Sequence, residues 1–370
     1  MIRVSEPLVG NLEIKRVSNA IKSGYVSSSS PGVIKFEKQW AKYCGRKYGV
    51  SLTNGTVALE LAIKILGLKN KDEIIMPSNT IISCAMAAVY NNLKIVPVDC
   101  HFDNWCIDEN KIEKKITKRT KAILFVNIFG HPSNIDKLKK LAKKYKLYLI
   151  EDAAESHGSK YKGKKCGSFG DISTFSFYAN KLITTGEGGM LLTNNKKFFE
   201  KAKYFRNLCF EKKDRFKHFN LGYNLRMSNL QAEVGIAQIK RINFFIKKKI
   251  NMAKFYNKSF RNISMLQLPK TEKWAFNTFW MYGVLIKNKK VTAKYFMKEL
   301  KKYGIESRPF FYGIHMQPAL KGHLKYKNDL KNTEYLSKYG FYLPSGLNLT
   351  QSQLYKVKKS VFKICKKITK

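Results

Sequence analysis

From Glu73 to Ala154 short apolar runs alternate with amphipathic stretches. EIIMP, IVPVD, AILFVNIFG and LYLIEDAA read as buried strands, and NTIISCAMAAVY, a stretch from Asn110 and another from Asn134 read as the helices between them. Strands separated by helices of this length predict a parallel sheet with right-handed crossovers. Ligands of such sheets sit at the carboxyl ends of the strands, where Asn127, Asp152 and the residues after it fall. Upstream, SGYVSSSSPGVIKFEKQWAKYCG is a small-residue loop leading into an amphipathic helix from about Val33. GVSLTNGTVALELAIKIL then reads as a strand, a turn and a helix with Val57, Leu61 and Ile65 at helical spacing. Downstream, DISTFSF and GMLLTN are strand-like, and a helix follows Asn195.

After a basic loop, EKKDRFKHF, comes a long helix with apolar Val234, Ile236, Ile239 and Phe244. The chain from Asn262 to Phe276 is loop-like, and AFNTFWMYGVLI reads as a strand. VTAKYFMKELKKYG is an amphipathic helix, GIESRPFF a strand or loop, and NTEYLSKYG and QSQLYKVKKSVFKI are helices. A large domain over residues 1–240, including the N-terminal segment, and a smaller one over 241–370 are expected.

Composition changes little in this picture. At 370 residues and 44% hydrophobic content, a sizeable core is available. No apolar run reaches the roughly 18 residues of a membrane span, and MIRVSEPLVG lacks the apolar core of a signal peptide, so a cytoplasmic protein without membrane insertion is expected. The seven cysteines include no C-x-x-C pair and suggest neither a disulfide framework nor a zinc site. The net charge of +44 invites a nucleic-acid reading. Yet only 10 of the 70 basic residues are Arg, and the lysines are scattered over presumed helix faces, so no specific nucleic-acid partner is expected. A basic surface would still attract anionic substrates.

Against this background one stretch stands out. By composition about five lysines are expected in a window of 30 residues, but CGSFGDISTFSFYANKLITTGEGGMLLTNN holds one, Lys181. A lysine isolated between two strands, beside small and aromatic residues, is a phosphate ligand, an amine nucleophile activated by desolvation, or a surface residue on a turn. Thr56 is either a plain N-cap or, with Gly55, part of an anion site at a helix start. Asp152 ends an apolar strand with no His/Cys/Asp cluster at metal-ligand spacing around it, so no metal site is expected and pairing with a cation is favoured.

SFYANKLITTGEGG, preceded by EDAAESHG and followed by GYNLRMSNLQAEVGIAQIKRI, resembles the signature of the DegT/DnrJ/EryC1/StrS family of pyridoxal-phosphate (PLP) dependent nucleotide-sugar aminotransferases, most closely its perosamine-synthase group. The likeness runs from about Val26 to the C-terminal helix. It implies an α/β protein of the type I aminotransferase fold, with a mostly parallel mixed sheet between helices in the large domain and a smaller C-terminal α+β domain. It implies that Lys181 holds PLP as a Schiff base and moves the proton, and that Asp152 pairs with the pyridine nitrogen. Gly55, Thr56 and Ser176 would bind the cofactor phosphate, although Ser176 also reads as an ordinary alternating strand position. Asn224 would reach the phosphate from the neighbouring subunit of a homodimer with shared sites; alone it reads equally as a turn residue. Glu155 stands where many relatives carry Gln beside the phenolic oxygen, and Ile81 where they carry a stacking aromatic. His157, and Arg308 and His315 in SRPFFYGIHMQP, are candidate substrate contacts.

The reaction so implied moves an amino group from glutamate to a nucleotide-linked 4-keto-6-deoxyhexose, giving a 4-amino-4,6-dideoxy sugar of the perosamine or viosamine type for surface polysaccharide. A C3 aminotransferase is the same-fold alternative. A noncatalytic nucleic-acid-binding regulator is the alternative from another class, and intact Lys181 and Asp152 argue against it.

Overall fold

The computed structural model describes residues 1–325 and 328–369. Two helices, α1 (Asn11–Lys22) and α2 (Pro31–Cys44), precede β1 (Tyr48–Leu52) and α3 (Gly55–Leu66). Strands and helices then alternate through β2 (Glu73–Pro77), α4 (Ile82–Tyr90), β3 (Lys94–Val98), β4 (Thr120–Val126), α5 (Ile135–Lys144) and β5 (Tyr148–Asp152). The short strands β6 (Lys160–Tyr161) and β7 (Lys164–Lys165) lead to β8 (Ile172–Ser176), β9 (Gly189–Thr193) and α6 (Lys196–Arg206).

The main sheet has the order β1-β9-β8-β5-β4-β2-β3. From β3 to β8 all neighbours are parallel, as the strand and helix alternation predicts, and β9 is antiparallel to both β8 and β1. The reversal has a local cause. Residues 177–188 are too few and too rich in glycine to form a crossover helix, so the chain turns back directly beside β8. That return loop carries Lys181.

The stretch from Asn110 departs from expectation. It forms two 3-10 turns, Glu109–Lys111 and Glu113–Lys115, and not an α-helix. Of its apolar side chains Ile112 is buried and Ile116 half-buried, too little for an apolar stripe.

The long helix α7 (Asn229–Phe260) starts at a capping box in which Ser228 and Gln231 satisfy each other's backbone N–H groups. Its 32 residues span about 48 Å at 1.5 Å each. The domain boundary expected at 240/241 therefore falls inside one helix. Ile242, Phe245, Ile246, Lys249, Met252, Ala253, Tyr256 and Phe260 recur at spacings of three and four and are buried. Phe244, expected on that face, is 52% exposed; the next residue, a 100° turn away, packs inward in its place.

The C-terminal part comprises β10 (Leu266–Gln267), β11 (Ala275–Phe276), β12 (Tyr282–Ile286), α8 (Ala293–Lys302), β13 (Arg308–Pro309), α9 (Lys331–Tyr339), β14 (Gly340–Leu343) and α10 (Gln351–Thr369). Four of its strands form an antiparallel sheet, β10-β12-β14-β13, and β11 joins β6 and β7. AFNTFWMYGVLI is thus two strands broken at residues 277–281, where Phe279 takes a left-handed φ of 50°. The first residues are stitched to this part of the chain: the Ile2 N–H donates to Gly304 O at 2.7 Å, and the Ser345 N–H to Val4 O at 2.6 Å. All seven cysteines are buried and free. Among the described residues no helix is long and apolar enough to cross a membrane.

Candidate active site

The site forms where β1, β2, β5 and β8 end along one edge of the main sheet. At the end of β1, the Asn54 side chain accepts the Val57 N–H at 3.0 Å and caps α3. Gly55 is needed at the first helical position, because a Cβ there would lie 2.7 Å from the Ser176 Cβ. This close approach brings the start of α3, with its free N–H groups and partial positive charge, against the end of β8. Ser83 sits beside it, its Oγ 2.9 Å from the Thr56 Oγ1. Backbone donors and three hydroxyls thereby converge on one small volume suited to an anion.

The strand that carries Asp152 is held by a neighbour with no expected role. Glu151 is fully buried and accepts hydrogen bonds from Asn127 Nδ2, the Gly167 and Phe169 N–H groups and the Ser173 hydroxyl, at 2.8 to 2.9 Å. Burial raises its pKa, opposed by these donors and by the Arg46 guanidinium. Arg46 in turn donates to Gly167 O and Gly170 O at 2.9 Å. The pair ties β5 to the turn before β8 and fixes the spacing between Asp152 and Ser176. Asn127, placed at the ligand edge by the strand pattern, serves this inner network and not the cavity.

The cavity, of about 540 Å³, is lined by Asn54, Gly55, Thr56, Ile81, Ser83, Tyr90, Asp152, Glu155, Ser176, Tyr178, Asn180, Lys181, Trp280, Arg308, Phe311 and Tyr342 among others. Asp152 accepts the Ala154 N–H at 3.0 Å on Oδ1 and the Cys84 thiol at 3.3 Å on Oδ2. Burial raises its pKa, opposed by those two donors and by Lys181. Glu155 accepts the Phe129 N–H at 2.7 Å, and burial pushes its pKa up to about 7 against the opposing charge of Lys181. Burial lowers the pKa of Lys181, opposed by Glu155 and Asp152. One amine and two carboxyl groups thus share a desolvated space in which burial moves each titration toward neutrality and the charge of the opposite sign holds it back.

The sequence matches the family model for the DegT/DnrJ/EryC1/StrS aminotransferase family over residues 7–362. The chain belongs to this family. It is 37% identical to the GDP-perosamine synthase of Escherichia coli O157:H7 over 360 residues, covering 97% of each chain. It is 35% identical to the GDP-perosamine synthase of Vibrio cholerae, covering 96% of this chain and 97% of that one. Among solved structures, it is similar to the E. coli GDP-4-keto-6-deoxy-D-mannose-3-dehydratase with bound hydrated PLP. There the TM-score is 0.90 at 26% identity, with 98% of this chain and 99% of that one covered.

As a member of this aminotransferase family the protein is a PLP-dependent enzyme, and its cavity fits that cofactor. The cradle at Gly55, Thr56, Ser83 and Ser176 matches a phosphate. Among the described residues Asp152 has no cation within ion-pair distance, a deficit that a protonated pyridine nitrogen meets. The Asn180 Oδ1, also in the lining residues, is buried without a partner among the described residues. Gly55, Thr56, Asp152, Glu155, Ser176 and Lys181 therefore come together from three stretches of chain. When bound, PLP supplies the aromatic electron sink that lets the carbon bearing an amino group lose its proton.

Three residues singled out in the sequence lie elsewhere. His157 is fully buried between Trp40, Phe175 and Phe177, with ring centroids 5.3 to 5.6 Å away, and desolvation pushes its pKa down to about 3. It is a neutral packing residue behind the cavity and has no surface to offer a substrate. His315 binds the Ser78 hydroxyl through Nδ1 at 2.7 Å and faces Glu334 through Nε2 at 3.4 Å, linking the end of β2 to the C-terminal part. Asn224 is exposed, bridged to Asn207 and outside this chain's own cavity. Arg308 does line the cavity, paired with Glu306 at 3.3 Å.

Sequence reasoning missed Ser83, Cys84, Tyr178, Trp280, Phe311 and Tyr342. Ser83 and Cys84 carried a local signal, since they open α4 right after the end of β2. Trp280, Phe311 and Tyr342 carried none, because they reach the site only through the packing of the C-terminal sheet.

Proposed function

We propose that this enzyme transfers an amino group from glutamate to the C4 keto carbon of a nucleotide-linked 4-keto-6-deoxyhexose. The single observation that carries the reading is the convergence of Lys181, Asp152 and Glu155 on one cavity whose far wall is an anion cradle. Around that cofactor site the similarity to two GDP-perosamine synthases over nearly the whole chain supports a nucleotide sugar and C4. Lys181 is the group that holds the cofactor and, when free, carries a proton between the donor carbon and the cofactor. Asp152 keeps the cofactor ring cationic. Glu155, with a pKa near neutrality, is protonated in part of the population and can then donate a hydrogen bond where a Gln would.

The proposed working form is a homodimer in the cytoplasm with shared sites. The support for a homodimer is exposed apolar surface, part of it in the cavity lining. Ile81, Tyr90 and Tyr178 are exposed cavity-lining residues, and the loop before Asn224 presents Phe216, Phe219 and Leu221 at 79%, 69% and 90% exposure. Large apolar side chains exposed at a cavity lining and along one loop suit cover by a partner surface. A second copy would cover them and bring its Asn224 toward the cradle.

The test is incubation with PLP, glutamate and a panel of 4-keto and 3-keto nucleotide sugars, with the product identified by mass spectrometry and NMR. A 4-amino sugar with stoichiometric 2-oxoglutarate is expected. Amination at C3, or no amination of any panel member, would overturn the assignment.

A further inference from the structure

The lysine that sequence singled out has a neighbour that sequence did not. The Lys181 Nζ lies over the Trp280 ring, 3.9 Å from its centroid, and among the described residues no carboxylate lies within ion-pair distance of it. Trp280 is 4% exposed and comes from the segment leading into β12, about a hundred residues downstream.

Its position is fixed by several contacts. The indole Nε1–H donates to Asn180 O at 2.8 Å, the residue directly before Lys181. The Trp280 carbonyl accepts from the buried Lys249 ammonium of α7 at 2.8 Å. Phe129 stacks against the ring at 6.4 Å between centroids and 29° between planes. Backbone rarely adopted by L residues brackets the contact: Phe129 and Phe279 have φ of 51° and 50°. Gly130, at φ 100°, is required there, because a Cβ would lie 2.8 Å from the Phe279 N and 2.9 Å from the Trp280 N.

Such over-determination marks a group whose placement matters to the site. An indole face is electron-rich and attracts an ammonium, most strongly where water is excluded. The other titratable groups facing the amine are Asp152 at the end of β5, Glu155 in the loop after it, Cys84 on α4 and His157 behind the cavity. Burial favours the neutral amine that attacks; the carboxylates and the indole favour the ammonium that donates a proton.

We propose that Trp280 is a positioning residue for Lys181. Its ring is the seat on which the free amine rests, and it sets how readily that amine gives up its proton. The inference rests on Lys181 being the cofactor-linking residue. It also makes the C-terminal part of the chain, through β12 and Lys249, a determinant of reactivity in the large domain.

The test uses the full-length apo-enzyme with PLP as the probe. Tryptophans carrying successively more ring fluorines are introduced at position 280 by nonsense suppression. They keep the indole's shape and N–H while withdrawing density from its face. The rate of PLP capture is measured against pH, with borohydride trapping and peptide mass spectrometry reporting capture on Lys181. The expected result is a pH profile displaced progressively to lower pH, with capture at a fixed pH below the plateau about tenfold faster at the end of the series. Trp280→Leu, checked by its melting curve, removes the face altogether. A fluorine series that leaves the profile in place, or moves it to higher pH, overturns the proposal. Trapping of PLP on another lysine would overturn the Lys181 assignment itself, and the proposal with it.

Discussion

Glu155→Gln tests the electrostatics of the cavity directly. The carboxyl is buried and its pKa sits at about 7, against an ordinary value of 4.5. The sign follows from proton binding: the unfolded chain loses this proton near 4.5, whereas the folded enzyme keeps it until about 7. Between those values the unfolded state binds fewer protons, so ionisation of Glu155 makes the fold less stable as pH rises. Below 4.5 the penalty is absent, and above 7 it is fully present. At 1.36 kcal/mol per pH unit it amounts to about 3 kcal/mol. Gln keeps the size and still accepts the Phe129 N–H, but it does not ionise. The apo-variant should therefore match the parent near pH 4.5 and exceed it in stability at pH 8. With an unfolding entropy of about 2.1 cal/mol/K per residue, 3 kcal/mol over this chain corresponds to about 4 °C in Tm. Differential scanning calorimetry of both apo-proteins from pH 4.5 to 8.5 reads the difference. A constant gap across that range, or a parent that gains on the variant as pH rises, would refute the reasoning.

Three further outcomes are expected. Gly55→Ala places a Cβ 2.7 Å from that of Ser176, forcing the start of α3 away from β8 at about 1 to 3 kcal/mol; PLP affinity, titrated by visible absorption, should fall at least about tenfold, and an unchanged affinity would remove Gly55 from the cradle. Mixing inactive Lys181→Ala subunits with subunits weakened at Asn224 should restore part of the activity, because one site of each hybrid dimer regains all its groups; no recovery despite demonstrated subunit exchange would place Asn224 in its own chain's structure. Raising salt should moderately weaken apparent nucleotide-sugar affinity and abolish any DNA binding early, since an unshaped lysine surface gains affinity from counterion release; sequence-dependent DNA binding at physiological salt, competing with nucleotide sugar, would reveal a second function.

The alternation of apolar runs and amphipathic stretches determined the parallel sheet and the edge at which ligands sit. Its information is local, because burying a strand on both faces leaves a short run of apolar residues that no distant contact is needed to explain. The same holds for Gly55, Asp152 and Lys181, each announced by a turn, a strand end or a departure from composition within a few residues. Expectations failed where the deciding partner lay far along the chain. The stretch from Asn110 lacked the apolar stripe to hold a helix against the sheet. Phe244 and Phe245 could be told apart only by which one met the core. His157 lies five residues after Asp152, yet it faces the aromatic cluster and not the cavity, and His315 is taken up by Ser78. The tertiary structure alone decided the titration of Glu155 and the seat of Lys181 on Trp280. Desolvation and ring contacts are properties of a three-dimensional neighbourhood: Trp280 meets Lys181 through the packing of the C-terminal sheet, with Lys249 of α7 bonded to its carbonyl and with Gly130 letting two backbones approach within a distance that a side chain would forbid.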